Sequence, residues 1–261
     1  MVNTNPVFYY IFKLFINFII AFKIILMYYY SIRILFIKRI ILAKVIIFAG
    51  GFGSGKSELA INYALDRSQY ADNIILADLD LVNPYFASRD VRDLLEASGV
   101  RVLAPAGDFS CGDVPAIPPE IIGVLRGNDE IIIDVAGDEV GSMVLGYLSR
   151  YIKDSDYQFY LVLNPYRPFA QDLNSVIELR LLLERAAHLT FTGLISNPNL
   201  MGETNPAMIR SGHQIVSDYA QAMMLPVCYL TAEEKFYHDL VHEYGRILQT
   251  ITLYLKPEWM Q

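Results

Sequence analysis

Cysteine is scarce, with Cys111 and Cys228 the two in 261 residues. They lie far apart and match no metal-ligand spacing, so the chain needs no disulfide and fits a reducing compartment. Acidic residues are absent from positions 1–44, which carry six basic ones: Lys13, Lys23, Arg33, Lys38, Arg39 and Lys44. Basic residues are few in the remainder, where fifteen stand against twenty-eight acidic side chains. That is a net of −13 within a whole-chain charge of −7. Non-specific binding to DNA or RNA relies on neutralising phosphates with Lys and Arg, so no direct nucleic-acid partner is expected. An internal repeat, a low-complexity linker and a second domain are also lacking.

An uninterrupted apolar span is missing too, although residues 7–42 are rich in Phe, Ile, Tyr and Leu. A spanning helix needs about 18–20 apolar residues, and Lys13, Lys23 and Arg33 break the run. A secretory signal would end in a small-residue cleavage site, and none is evident. Three readings therefore stay open for segment 1–43: a membrane anchor, a signal peptide, or translated upstream sequence with the true start at or after Met27. In an anchored chain, the cluster Arg33, Lys38, Arg39 and Lys44 would keep the following domain cytoplasmic. The expected organisation is this leader, then one nucleotide-binding domain over 44–261. The expected location is the cytoplasm, at a membrane only through the leader.

From Lys44 onward, apolar strands alternate with amphipathic helices. The pattern predicts strands over 45–49, 73–78, 100–103, 130–134, 158–163, 189–195 and 226–230. Helices are predicted from the glycine loop to about 69, then over 86–97, 120–126, 140–152, 169–187 and 207–224, with a last one near 238–255. Near-continuous apolar strands between helices imply a single-domain, three-layer α/β fold with a mostly parallel sheet covered on both faces.

The first strand runs into Gly50-Gly51-Phe52-Gly53-Ser54-Gly55-Lys56-Ser57, a G-x-x-x-x-G-K-S phosphate-binding loop opening a helix. Strand, glycine loop and helix form the context that this motif requires. Backbone N–H groups of the loop and the positive end of the helix dipole favour phosphate. Lys56 would reach the β- and γ-phosphates, and the Ser57 hydroxyl would ligate magnesium. The candidate nucleotide contacts here are Gly50, Gly51, Phe52, Gly53, Ser54, Gly55, Lys56, Ser57 and Glu58. Ile131-Ile132-Ile133-Asp134 fits a Walker B strand that brings a carboxylate to the same magnesium. It continues as Asp134-Val135-Ala136-Gly137, in which the Gly137 amide would sense the γ-phosphate. Asp78-Leu79-Asp80 places two carboxylates after another strand, where ligands of open α/β sheets collect. Of Asp78 and Asp80, one could join the magnesium shell and the other hold the attacking water, or the acidic site could simply cap the next helix, a task that Asn83 also suits.

The order of these motifs resembles the MinD/ParA/CobQ-type ATPases of the SIMIBI class of P-loop proteins, over residues 45–231. It also resembles a bacterial ATP-binding group of that superfamily in the blocks 48–65, 78–89 and 164–168. The resemblance implies Mg–ATP as ligand and Asp80 as the water-positioning catalytic residue beside Lys56. It further implies that Asn164-Pro165-Tyr166 is the family's N-P element, and that Asn197, after Ser196, reads adenine. An asparagine amide can pair with adenine N6 and N7. Gly51 stands where ParA-type proteins carry their signature lysine, so nucleotide-bridged dimerisation through that lysine does not carry over. A homodimer or another protein partner stays open. Guanine readers usually carry N/T-K-x-D, whereas Asn197 is followed by Pro198-Asn199, which favours ATP over GTP.

The function expected is therefore a Mg–ATP-binding, slowly hydrolysing nucleotide switch. The alternatives are a metallochaperone-type GTPase, whose loop resembles Gly53–Ser57, a CobB/CobQ-like ATP-dependent enzyme, or a non-hydrolysing regulatory protein. His238 and His242 have zinc-compatible i, i+4 spacing, yet no cysteine joins them and a solvent-facing pair is expected. Arg167 reads as an arginine finger or a surface salt-bridge residue, the latter being favoured. The loop Asp108–Pro115 suits a switch or partner contact.

Overall fold

The structure is a computed structural model that describes residues 45–79, 91–104, 119–127, 129–137 and 139–255. The expectations for the leader, for Asp80 and Asn83, and for most of the loop after position 104 fall outside these residues. Eight parallel strands form one sheet in the order β3-β2-β4-β1-β5-β6-β7-β8. They are β1 (Val45–Ala49), β2 (Ile74–Leu79), β3 (Val100–Leu103), β4 (Glu130–Val135), β5 (Tyr157–Leu163), β6 (Gly193–Ser196), β7 (Val227–Glu233) and β8 (Leu248–Ile251). Among the described residues the helices are α1 (Lys56–Ser68), α2 (Arg92–Ala97), α3 (Glu120–Arg126), α4 (Glu139–Ile152), α5 (Leu173–Ala187), α6 (Pro206–Met223) and α7 (Tyr237–Tyr244). None of them is long and apolar enough to cross a membrane.

The strands are apolar on both faces because helices cover both. Val45, Ile47 and Ala49 enter a core with Leu145 and Leu148 of α4 and Val176 and Leu183 of α5. Ile46 and Phe48, one step out of phase, enter the opposite core with Leu59, Ile61 and Ala64 of α1. This period-2 division of a wholly apolar strand is the signature of a sheet buried on both sides. Burying a Leu or Ile side chain contributes about 1.5–3 kcal/mol, and β1 is entirely buried. The Arg67–Glu130 pair, 2.7 Å apart, ties the end of α1 to the start of β4.

The predicted last helix is shorter than expected. It stops at Tyr244, Gly245 follows with φ 52°, and Leu248–Ile251 pairs with β7 as an eighth strand. Leu248 and Ile251 are spaced three apart, as on a helix face. The left-handed glycine breaks the helix before that spacing can be used. The sixth predicted strand also narrows to Gly193–Ser196.

Candidate functional site

β1 is central, with β4 on one side and β5 on the other. Ligands of open α/β sheets gather at the carboxyl ends of the strands, at the point where the chain reverses its direction of winding. The glycine loop leaves β1 at that place. Gly55 caps α1 in the left-handed region, at φ 90°. A Cβ there would lie 2.2 Å from Asn197 Nδ2, so both conformation and space demand glycine. The Ser54 amide donates to the Gly51 carbonyl at 3.1 Å and closes the loop on itself. Lys56 and Ser57 begin the helix, and the Lys56 side chain is buried.

Asp134 lies in register with Phe48 of β1 and with Asp78 of β2. Register partners in a parallel sheet point to the same face, and Phe48 belongs to the core on the α1 side. Both carboxylates therefore face the layer that α1 begins, and both have 0% exposure. Two adjacent buried carboxylates below a lysine and a serine form a hard-oxygen set suited to Mg²⁺. Magnesium commonly takes one or two protein oxygens and completes its shell with water and phosphate. Gly137 presses on the loop from β4, and a Cβ on it would come within 2.6 Å of the Gly50 carbonyl. The strand ends that carry Asp78, Asp134 and Gly137 thus lie beside β1, from which the loop leading to Lys56 and Ser57 departs.

The asparagines and Glu58 stand differently. Asn197 is buried, donates from Nδ2 to the Ser54 carbonyl at 2.8 Å, and accepts at Oδ1 from the Thr231 hydroxyl at 2.8 Å. It sits at the expected strand end, but its amide anchors the phosphate loop to β7. Its Oδ1 is engaged by Thr231, so the two-point pairing with adenine N6 and N7 is not what this geometry presents. Asn164 builds the turn after β5: Oδ1 accepts from the Tyr166 amide at 3.1 Å and Nδ2 donates to the Asn199 carbonyl at 2.7 Å. Its amide joins two loops rather than facing a ligand. The Glu58 carboxylate accepts from the amides of Tyr254 and Leu255. The adjacent Asn62 exchanges two 2.8 Å hydrogen bonds with the backbone of Thr252. The carboxylate of Glu58, a residue expected among the nucleotide contacts, thus pins residues 254 and 255 to α1.

No protein-family model matches the sequence, and no curated protein matches it. Solved structures do. FtsY, a cell division protein of Thermotoga maritima, is 18% identical at a TM-score of 0.50, covering 74% of this chain and 62% of that one. The signal recognition particle receptor FtsY of Elizabethkingia anophelis in complex with GDP is 21% identical, with coverages of 74% and 57% and a TM-score of 0.48. The 54 kDa signal recognition particle protein of Aeropyrum pernix, also with GDP, is 14% identical, with coverages of 71% and 40% and a TM-score of 0.45. The α/β fold is one that this chain shares with the Thermotoga maritima protein. The chain spans less than two thirds of the length of each of these structures, and the likeness is one of fold. The α/β fold with a parallel sheet covered on both faces, expected from the strand and helix pattern, is borne out.

Sequence reasoning missed Thr231 and the strap at 252–255, which no motif marks. His238 and His242 are exposed, as expected. No group of three metal-ligating side chains exists among the described residues. Arg167 makes no surface salt bridge with any described residue, contrary to expectation. Its Cδ lies 3.6 Å from where a Gly53 Cβ would stand.

Proposed function

We propose that this chain is a P-loop nucleotide switch that binds a purine nucleoside triphosphate with Mg²⁺. The observation that carries the proposal is the convergence of the glycine loop, Lys56 and Ser57 with Asp134 and Asp78, buried in register on adjacent strands. Backbone amides of 51–57 and Lys56 hold the phosphates, and Ser57 with Asp134 and Asp78 holds the metal, which neutralises phosphate charge when bound. Gly137, packed directly on the loop, transmits the presence of the γ-phosphate to the segment that follows β4. Asp80 is assigned to the attacking water in slow hydrolysis, with the chain working in the cytoplasm and passing its nucleotide state to a protein partner. The expectation of ATP loses its main support, because the Asn197 amide is engaged by Ser54 and Thr231. GDP in two of the neighbours makes guanine nucleotide the arm to set beside ATP.

The test is titration of the full chain with fluorescent ATP and GTP analogues in Mg²⁺, with Lys56→Ala alongside. Micromolar binding by the wild type and at least tenfold weaker binding by the variant are expected. Equal affinities of wild type and Lys56→Ala would refute the assignment. A strong preference for one purine would show base recognition beyond the Asn197 amide.

A further inference from the structure

The turn after β5 delivers a cation to the phosphate loop from outside the motif. Pro165 and Pro168 flank Tyr166 and Arg167, and the Arg167 amide donates to the Asn164 carbonyl at 3.1 Å. The Ala170 amide in turn donates to the Arg167 carbonyl at 3.3 Å. Two prolines with fixed φ and these two hydrogen bonds hold the Arg167 backbone in one geometry. Asn164 ties the same turn to the loop after β6, and the Tyr166 hydroxyl donates to the Met208 carbonyl of α6 at 2.6 Å. Phe169, at φ 71°, lays its side chain against Gly51, 2.9 Å from the position of a Cβ there.

On this anchored base the Arg167 stem runs along Gly53, with Cγ, Cδ and Nε 3.7, 3.6 and 3.9 Å from the position of a Gly53 Cβ. Its Nε is buried and bonded to no atom, and the guanidinium has no ion-pair or hydrogen-bond partner among the described residues. Removing a guanidinium N–H from water without a partner costs about 1–3 kcal/mol or more. An arginine held this way suits an anion with paired oxygens, for which its planar fork is shaped. The glycine loop beside it is, under the function proposed above, where such an anion binds. Lys56 rises from the start of α1, whereas Arg167 approaches from the β5 side.

We propose that Arg167 is a second phosphate-binding cation, supplied by the same chain, that holds a phosphate oxygen of the bound nucleotide at the Gly53 side of the loop. The proposal rests on the nucleotide reading, so the two are tested in parallel but separably.

The experiment measures Kd for Mg–nucleoside triphosphate and diphosphate with full-length wild type, Lys56→Ala, Arg167→Met and Arg167→Lys, along with the thermal midpoint of each. Methionine keeps an unbranched stem against Gly53 while removing the charge. Triphosphate binding at least tenfold weaker in Arg167→Met, with partial recovery in Arg167→Lys and unchanged thermal midpoints, is expected. Triphosphate binding by Arg167→Met within twofold of wild type, while Lys56→Ala is impaired, overturns the role of Arg167 and leaves the nucleotide reading standing. A wild type that binds neither nucleotide overturns both. Should Arg167→Met fail to fold, Arg167→Gln decides: weaker triphosphate binding at an unchanged midpoint supports the proposal, and wild-type affinity overturns it. A partner's carboxylate as the true anion would appear as unchanged nucleotide affinity, which counts against it.

Discussion

The site has two halves, divided by β1. On the β4 and β2 side, Asp134 and Asp78 lie side by side under the start of α1, and Gly137 leaves room for the loop by having no side chain. On the β5 to β7 side, the polar groups bind one another: Asn197 to Ser54 and Thr231, and Asn164 to Tyr166 and Asn199. The first half gathers buried carboxylates beside the glycine loop. The second is a brace that sets the position of the loop. Residues that look equivalent in sequence, polar side chains at strand ends, thus line up under the loop in one half and tie loops together in the other.

Three substitutions sharpen that contrast. The largest effect is expected from Gly55→Ala, where the halves meet. Left-handed backbone costs a non-glycine residue about 1–2 kcal/mol. The new Cβ also displaces Asn197 from Ser54, and leaving a buried polar group unpaired costs about 1–3 kcal/mol. Chemical denaturation should show about 3 kcal/mol of destabilisation, together with loss of nucleotide binding. A stable variant that still binds would show that the loop adjusts independently of its brace. Next comes Asn197→Ala, which strips the buried Ser54 carbonyl and Thr231 hydroxyl of their partner. About 2 kcal/mol of stability should go, and affinity for ATP and GTP should fall by the same factor. Loss confined to one purine would move Asn197 into the ligand half. The smallest effect is expected from Glu58→Gln, which removes the charge but keeps an acceptor for the strap. A loss of about 1 kcal/mol with nucleotide affinity unchanged within twofold is expected. A large fall in affinity would return Glu58 to the ligand contacts.

The placement of the first half was legible in the sequence because a glycine loop, a lysine and a serine at fixed spacing open a helix, and a carboxylate closes an apolar strand. Local order carries all of that. The brace was not legible. Whether an asparagine amide meets a base or a carbonyl depends on what the fold brings beside it, and Ser54 lies 143 residues from Asn197. The strap on Glu58 was hidden for the same reason, since Glu58 continues the motif in sequence while its carboxylate turns toward residues 254 and 255. The strand β8 was hidden by a spacing of apolar residues that serves helix and strand alike, with only Gly245 to tell them apart.

The strap has a consequence for the order in which the protein is made. The hydrogen bonds from Glu58 and Asn62 of α1 reach residues 190 to 197 positions further along. Contacts between segments so far apart close late, because the loop between them must be ordered first. A nascent chain therefore presents its phosphate loop and the start of α1 early, but lacks the two amide donors for Glu58 until position 255 has emerged. The helix that opens the nucleotide site is secured by one of the last described segments to be synthesised.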